Sequence, residues 1–206
     1  MKIGIIGSGN IGGALGRLWC AAGHVVMFSS RNMERLAPLV AAAGPNASVG
    51  SVDDAIAFGD AILEAVPFAA TLQLPPAPLA GKVLISASNY YPERDGDIDL
   101  AGRSQTELVA ERLPQTLVVK AFNAMYATEM ASRADGVVDA ELAIFFAGDD
   151  DGSRTLTRQL IEDSNFAPAD AGVLANGKVF ESGGPLYGQR LDGATATRRL
   201  AEHRDT

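Results

Sequence analysis

The sequence predicts an α/β protein with a doubly wound, mostly parallel sheet, helices on both faces and a small C-terminal extension. Short apolar runs alternate with amphipathic or Ala-rich stretches along the chain, which is the rhythm of βαβ units. A glycine-rich turn follows the first apolar run and opens the first helical stretch. No internal repeat or low-complexity segment interrupts this order, so we expect one domain over residues 1–206.

Seven apolar runs predict strands, and we place them at residues 2–6, 25–29, 61–66, 82–86, 116–122, 142–147 and 166–170. Helical stretches lie at residues 10–22, 33–43 and 51–58, and two more end near residues 112 and 163. Ser104 and Glu107 form a capping box at the start of the fourth helix. The tail from residue 198 is charged, and we expect a frayed helix there.

Composition limits the classes of function. Hydrophobic residues make up 47% of the chain, which is enough for a substantial core. The net charge of −8 argues against nucleic acid or a membrane surface as partner, because both favour a basic face. Cys20 is the only cysteine, so no internal disulfide or cysteine-based metal site forms. No run reaches the roughly 20 apolar residues of a membrane span. We expect a cytoplasmic protein without a metal.

The first strand leads into a complete G-x-G-x-x-G pattern, made by Gly7, Ser8, Gly9, Asn10, Ile11 and Gly12. Gly7 permits the tight strand-to-helix turn, Gly9 lets the backbone approach a pyrophosphate, and Gly12 allows close packing of helix on strand. The free N–H groups at the helix start favour an anion. The pattern therefore predicts a Rossmann-like domain that binds a dinucleotide.

The end of the second strand separates the two nicotinamide cofactors. An acid about 20 residues after the turn binds the ribose 2′-OH of NAD, whereas an arginine accommodates the 2′-phosphate of NADP. This chain has Ser30 and Arg31 at that point and Arg35 one helical turn later. A hydroxyl and a guanidinium hold a phosphate with charge-assisted bonds, so we predict NADP(H).

Several short motifs recur together with the glycine turn. They are Gly23-His24-Val25, Ser30-Arg31, Ala65-Val66-Pro67-Phe68, Lys120-Ala121-Phe122-Asn123, Gly148-Asp149-Asp150 and Asp170-Ala171-Gly172-Val173-Leu174. As an ordered set they resemble the NADPH-dependent coenzyme F-420 reductase family, over essentially the whole chain. The resemblance implies a Rossmann-like domain, often dimeric, that passes hydride between the nicotinamide and the deazaflavin. It also implies a C-terminal segment, residues 173–206, that closes the site or the dimer.

The resemblance implies roles for particular residues. The residues expected to line the nicotinamide pocket or contact the bound nucleotide are Val66, Pro67, Phe68, Ala87, Asn89 and Ala127. Residues 183–186 resemble the segment that closes over the deazaflavin ring. Asn123 departs from the pattern, because members that act on the deazaflavin can carry a histidine there. That departure affects the second substrate more than NADP(H).

The sequence offers no obvious pair for proton transfer, and we assign no catalytic acid or base. His24 precedes a strand, away from the predicted site, and favours a structural role. Lys120 favours a structural or rim position, and Asp149–Asp151 is more typical of a helix cap than of a cation site. Tyr90 and Tyr91 fit a substrate wall and ordinary loop packing equally well.

These observations predict an NADP(H)-dependent oxidoreductase that transfers hydride to a flavin-like acceptor, with coenzyme F-420 first. The alternatives are a reductase of another acceptor (a flavin, a quinone or a ferric chelate) and a non-catalytic protein that senses NADP(H). The expected partners are a small-molecule hydride acceptor and a second copy of the chain in a homodimer.

Overall fold

The computed structural model describes residues 1–137 and 141–204, and these contain one eight-stranded sheet. The strands are β1 (Lys2–Ile6), β2 (Val25–Ser29), β3 (Ala47–Gly50), β4 (Ala61–Glu64), β5 (Val83–Ser86), β6 (Leu117–Ala121), β7 (Ala143–Gly148) and β8 (Ala167–Asp170). The helices are α1 (Asn10–Ala21), α2 (Ala37–Ala43), α3 (Val52–Phe58), α4 (Phe68–Thr71), α5 (Pro76–Leu79), α6 (Pro92–Asp95), α7 (Gln105–Arg112), α8 (Ala127–Ala134), α9 (Asp151–Asp163) and α10 (Gly193–Arg204). Two 3₁₀ turns cover Met33–Leu36 and Leu174–Val179.

The strand order is β3-β2-β1-β4-β5-β6-β7-β8, which confirms the predicted doubly wound fold. All neighbouring strands in this sheet pair in parallel except β6 and β7, which are antiparallel. The order reverses between β1 and β4, because the chain first winds outward to β3 and then returns to β4 on the other side of β1. Ligands of such sheets bind beyond the carboxyl ends of the strands at this point.

Apolar side chains cover both faces of the sheet. On one face α1 packs beside α8 and α9, and the indole of Trp19 donates a hydrogen bond of 2.9 Å to the carbonyl of Leu160. On the other face α3 and α7 cover β4, β5 and β6. The C-terminal segment adds a third cluster, in which Phe180 stacks on Phe145 of β7 at 5.6 Å. This segment thus packs against the sheet of the same chain.

Several local features differ from the sequence-based expectation, and helices α4, α5, α6 and α8 were not predicted. Strand β3 was not predicted, because its four residues contain little apolar sequence and form an edge. The stretch 33–43 is a 3₁₀ turn followed by α2, since Pro38 lies in the first turn of α2. Strand β4 ends at Glu64, two residues earlier than predicted. Helix α10 begins at Gly193 rather than near residue 198, because it packs on β8.

No helix among the residues that the structure describes is long and apolar enough to cross a membrane.

Candidate functional site

The glycine turn has the geometry that each of its glycines was expected to supply. Gly7 lies at φ 94°, and a Cβ there would meet Cγ1 of Val66 at 2.6 Å. A Cβ at Gly12 would lie 2.2 Å from the carbonyl oxygen of Gly7, so helix and strand touch at this point. A Cβ at Gly9 would meet no atom within 4 Å. The space above Gly9 is therefore open to a ligand, whereas the other two glycines are required by the fold.

The N-terminus of α1 lies directly behind this open space. Its N-cap residue, Gly9, has no side chain to accept from the first N–H groups, and no acid lies in the first turn. Ser8 is turned away, since its hydroxyl donates to the carbonyl of Ser29 at 3.0 Å. A pyrophosphate fits here because an anion accepts these N–H groups and meets the positive end of the helix dipole.

The residues expected to select the 2′-phosphate lie at the carboxyl end of β2. Ser30 is half-buried and its hydroxyl accepts a hydrogen bond of 3.3 Å from the N–H of Asn32. Arg31 and Arg35 are exposed, and within residues 1–137 and 141–204 neither one forms an ion pair or a side-chain hydrogen bond. Ser29, in contrast, is buried and donates to the carbonyl of Ile5 at 2.7 Å. Two guanidinium groups thus remain available to an anion.

A cavity of about 330 Å³ opens where the strand order reverses, at the carboxyl ends of β1, β4, β5 and β6. The predicted site residues in its wall are Ile11, Val66, Pro67, Ala87, Asn89 and Ala127. A second cavity, of about 380 Å³, adjoins the start of α1 and includes Gly9, Asn10 and Ala127. The structure thus places the glycine turn and the pocket residues around one edge of the sheet.

Phe68 does not line this cavity. Its side chain is fully buried and packs against the ring of Tyr90, with ring centroids 5.7 Å apart. Phe68 is the first residue of α4, so its ring points into the core between α3 and the sheet. The sequence-based expectation of a pocket-lining phenylalanine is corrected on this point, and Pro67 provides the wall instead.

Two asparagines form the polar floor of the cavity. The amide of Asn89 donates to the carbonyl of Asn123 at 2.8 Å, and the amide nitrogen of Asn123 donates to Oδ1 of Asn89 and to the carbonyl of Phe180. These partners are both acceptors, so they fix the orientation of the Asn123 amide. Its Oδ1 is buried and has no hydrogen-bond partner in the part of the chain that the structure describes. A buried acceptor left unpaired is costly and calls for a donor from a ligand.

The backbone just before Asn123 is strained. Phe122 has φ 62°, in the left-handed region that bulky residues rarely adopt, and its ring packs edge-on against Trp19 at 5.9 Å. This turn ends the strand β6 and aims Asn123 at the cavity. Such strain concentrates at functional sites.

Aromatic side chains form the rim of the cavity. The hydroxyls of Tyr91 and Tyr187 are 2.5 Å apart, and the guanidinium of Arg94 lies 5.1 Å from the centre of the Tyr91 ring. Burial and the Tyr91 hydroxyl raise the pKa of Tyr187, so the phenol of Tyr187 stays neutral. Tyr126 also lines the cavity and is exposed, and its hydroxyl would lie 3.3 Å from a Cβ at Gly188, next to Tyr187. Tyr91 thus belongs to the wall, whereas Tyr90 packs in the loop.

A buried polar cluster lies beneath the floor. Glu64 is fully buried, and its carboxyl oxygens accept hydrogen bonds of 2.9 Å from the N–H of Val66 and from the hydroxyl of Ser86. Lys120 is also fully buried, and its Nζ donates to the carbonyl of Ser88 at 2.5 Å. Lys120 is therefore not at the rim, which corrects that alternative from the sequence. Sequence reasoning missed Glu64, although an acid inside an apolar run is itself a signal.

The other polar candidates have structural partners. His24 contacts Asp163 at 2.8 Å, at the amino ends of the strands. Asp150 accepts from the N–H of Ser153 and caps α9. Burial raises the pKa of the Cys20 thiol to about 11, so this thiol is inert. Among the described residues, no group of His, Cys, Asp and Glu side chains is placed to hold a metal ion.

Comparison with known proteins agrees with this geometry. A family described as NADP oxidoreductase coenzyme F420-dependent matches residues 2–90. The protein SMa0349 from Sinorhizobium meliloti is 30% identical, with a TM-score of 0.78, and the match covers 93% of this chain and 95% of that one. A candidate F420-dependent NADP reductase from Arthrobacter sp. FB24 has the same fold at 21% identity and a TM-score of 0.72, over 86% of this chain and 87% of that one.

A longer curated relative also matches. Metalloreductase STEAP3 of Rattus norvegicus is 28% identical over 184 residues, which are 88% of this chain and 36% of the rat protein. The chain thus spans about a third of that relative. The family match covers the glycine turn, β4 and Asn89, and the rat and Arthrobacter relatives are named as reductases. This chain is therefore an NAD(P)-dependent oxidoreductase with a Rossmann-like fold, and it belongs to the family of coenzyme F420-dependent NADP oxidoreductases.

Proposed function

We propose that this protein binds NADP(H) and transfers hydride between its nicotinamide and a flavin-like acceptor, with coenzyme F-420 as the first candidate. The observation that carries the proposal is the cavity of about 330 Å³ beyond the glycine turn, with the unpaired Oδ1 of Asn123 in its floor. Its volume lies within the range of about 300–1,000 Å³ that is typical of small-molecule sites. The family match supports the cofactor and the acceptor class.

Each part of the site has a role toward the dinucleotide. The N–H groups at the start of α1 hold the pyrophosphate above Gly9, and Arg31 and Arg35 hold the 2′-phosphate. The carboxamide NH₂ supplies the donor that Oδ1 of Asn123 lacks. When bound, NADPH supplies the hydride. The apolar side chains of Val66 and Ala87 exclude water and orient the ring, which is what hydride transfer needs most.

The rim suits a planar acceptor. The rings of Tyr91 and Tyr187 offer flat apolar surface, and the guanidinium of Arg94 adds a positive charge at the edge. Ring systems stack on such surfaces, and an arginine pairs with an acidic side arm. These features support a flavin-like molecule with an anionic substituent over a small polar substrate.

The proposal is tested by following NADPH oxidation with each acceptor offered separately. We expect turnover with coenzyme F-420 together with loss of the deazaflavin absorbance band. Turnover only with FMN, a quinone or ferric citrate would move the assignment to the second candidate. The similarity to a metalloreductase favours that second candidate specifically for a ferric chelate.

A non-catalytic role as an NADP(H) sensor makes a different prediction. In that case NADPH binds but no acceptor stimulates its oxidation, and binding of a partner protein depends on the NADPH/NADP ratio. Isothermal titration with NADPH, followed by turnover assays on the same sample, separates the sensor from the enzyme.

We also propose that the protein is a cytoplasmic homodimer whose contact includes the C-terminal segment after β8. Val173 in this segment is an apolar side chain with 49% of its surface exposed. Gel filtration of the Val173→Asp variant tests this role. A shift to monomer is expected, and an unchanged dimer, or a monomeric unaltered protein, contradicts it.

A further inference from the structure

Three hydroxyl and carboxyl groups connect the core of the sheet to the cavity. The carboxyl of Glu64 lies 2.9 Å from the hydroxyl of Ser86, and that hydroxyl lies 3.2 Å from the hydroxyl of Ser88. Ser88 lines the cavity, whereas Glu64 is fully buried in β4. Each neighbouring pair can share a proton, because a protonated carboxyl and a hydroxyl both donate and accept. The chain is therefore continuous from Glu64 to the cavity.

Glu64, Lys120 and Glu181 form a buried cluster with two carboxyl groups and one amine, and its charge balance favours one protonated carboxyl. Lys120 is the charged group that acts on Glu64, and it also acts on Glu181 of the C-terminal segment. Glu181 accepts hydrogen bonds from the N–H groups of Gln105 (3.0 Å) and Thr106 (3.3 Å) at the start of α7, where the helix dipole is positive. One ammonium balances one carboxylate. A second buried carboxylate would have no countercharge, so it retains its proton.

Glu64 is the carboxyl group that keeps this proton. Burial raises the pKa of Glu64, because the loss of hydration outweighs the hydrogen bonds from Val66, Thr71 and Ser86 and the charge of Lys120. The hydroxyl of Ser86 donates to an ionised Glu64, whereas a protonated Glu64 can donate to Ser86 instead, which leaves the Ser86 hydroxyl able to donate to Ser88. The proton is thus held in the core but is connected to the cavity.

We propose that Glu64, Ser86 and Ser88 form a path that delivers the proton required by hydride transfer to a ring acceptor. This inference rests on the proposed function, since it concerns the same cavity. It explains how the protein can reduce an acceptor that takes up both a hydride and a proton, although no acid or histidine lies in the cavity wall among the residues that the structure describes.

Electrons, protons and charge are conserved in the transfer. Hydride transfer moves two electrons and one hydrogen nucleus from the dihydronicotinamide to the acceptor, which gains one negative charge. Ser88 gives its hydroxyl proton to that anion, Ser86 gives its proton to Ser88, and Glu64 gives its proton to Ser86. Glu64 becomes a carboxylate, which shares the ammonium of Lys120 with Glu181 until a proton returns. After product leaves, a proton from water in the cavity returns along the same three groups.

Infrared difference spectroscopy tests the proton on Glu64 without any acceptor. The spectrum of the unaltered protein minus that of Glu64→Gln, at neutral pH, is expected to contain the carbonyl stretch of a protonated carboxylic acid. The matched control, Glu111→Gln, alters an exposed acid and should lose only a carboxylate band. A difference spectrum for Glu64→Gln that contains only carboxylate bands would overturn the proposal.

Steady-state kinetics test whether the path delivers the proton to the acceptor. With coenzyme F-420 or FMN as acceptor, Glu64→Gln and Ser88→Ala should each lower kcat about 100-fold, the low end of general acid catalysis, with unchanged affinity for NADPH. Their remaining activity should rise as pH falls, because water then supplies the proton. Ser88→Thr keeps a hydroxyl and should restore most of the rate. Ser88→Ala keeps the backbone carbonyl that binds Lys120, so it remains informative if Glu64→Gln does not fold.

The two failures are distinguishable. If the unaltered protein binds NADPH but reduces neither acceptor, the proposed function fails, and the infrared band still decides whether Glu64 holds a proton. If the unaltered protein turns over and both variants keep its kcat and pH profile, the path is refuted and the proposed function stands.

Discussion

Replacing Gly9 by alanine separates the fold of the glycine turn from its function. The backbone at Gly9 has φ −80° and ψ −153°, an extended conformation that any residue adopts. A Cβ there meets no atom within 4 Å. The Gly9→Ala protein should therefore fold normally, and its new methyl group should project into the space that we assign to the pyrophosphate.

Gly9→Ala should change both the stability of the protein and its affinity for NADPH, and the magnitude of each change can be estimated. Alanine at an unstrained glycine position stabilises by about 0.4–1 kcal/mol, because the unfolded chain loses freedom, and for a chain of this size that raises Tm by roughly 1–4 °C. Losing two charge-assisted hydrogen bonds to the pyrophosphate costs about 3 kcal/mol or more, which is at least about 100-fold in Kd. At an NADPH concentration 100 times the original Kd, ligand stabilisation should fall from about 2.7 to about 0.4 kcal/mol.

The assay is thermal unfolding with and without NADPH, with Gly12→Ala as the contrast. A Cβ at Gly12 collides with the backbone oxygen of Gly7 at 2.2 Å, so that variant should lose about 1–3 kcal/mol without ligand. Gly9→Ala should be at least as stable as the unaltered protein but should show almost no shift with NADPH. A full NADPH shift in Gly9→Ala would refute the assignment of the pyrophosphate to this turn.

Four further outcomes are expected. Arg31→Ala should weaken NADPH binding about tenfold and leave NADH binding unchanged, as measured by isothermal titration. Equal losses of affinity for NADPH and NADH would contradict the assignment of Arg31 to the 2′-phosphate. Lys120→Met should lower the free energy of unfolding, measured with urea, by about 3–5 kcal/mol, because it leaves Glu181 without its buried countercharge. A decrease below about 1 kcal/mol would contradict that pairing. Burial raises the pKa of Cys20 from 9 to about 11, which lowers the thiolate fraction at pH 8 about a hundredfold. Alkylation of Cys20 in the folded protein should therefore be at least that much slower than in the unfolded chain. Equal alkylation rates would contradict the burial of Cys20. The raised pKa also predicts that the free energy of unfolding falls as pH rises from 9 to 11, because in this range the Cys20 thiol ionises only in the unfolded chain.

The sequence predicted those parts of the molecule that depend on local patterns. Apolar runs identified seven of the eight strands, and all of these except the edge strand β8 are mostly buried in the sheet. The capping box formed by Ser104 and Glu107 marked the start of α7. The residues after the strands were expected at one edge because parallel strands bring their carboxyl ends together. Val66, Ala87 and Asn89, which the family resemblance assigned to the nucleotide site, lie together in one cavity wall.

What the sequence could not predict depends on contacts between distant residues. The ring of Phe68 follows Pro67 directly, and only the packing of α4 decides that it points into the core. Tyr187 reaches the rim because the C-terminal segment folds back 96 residues to Tyr91. The unpaired Oδ1 of Asn123 exists only because Asn89 and Phe180 occupy the amide nitrogen.

The measurement that tests the central claim most directly is the transfer of deuterium from NADPH labelled at C4 of the nicotinamide to coenzyme F-420. We expect one deuterium in the reduced deazaflavin for each NADPH labelled on the transferred face, detected by mass spectrometry, and no such transfer in Gly9→Ala under the same conditions. Reduced deazaflavin that lacks deuterium with NADPH labelled on either face, or bound NADPH that is never oxidised, would contradict hydride transfer in this cavity.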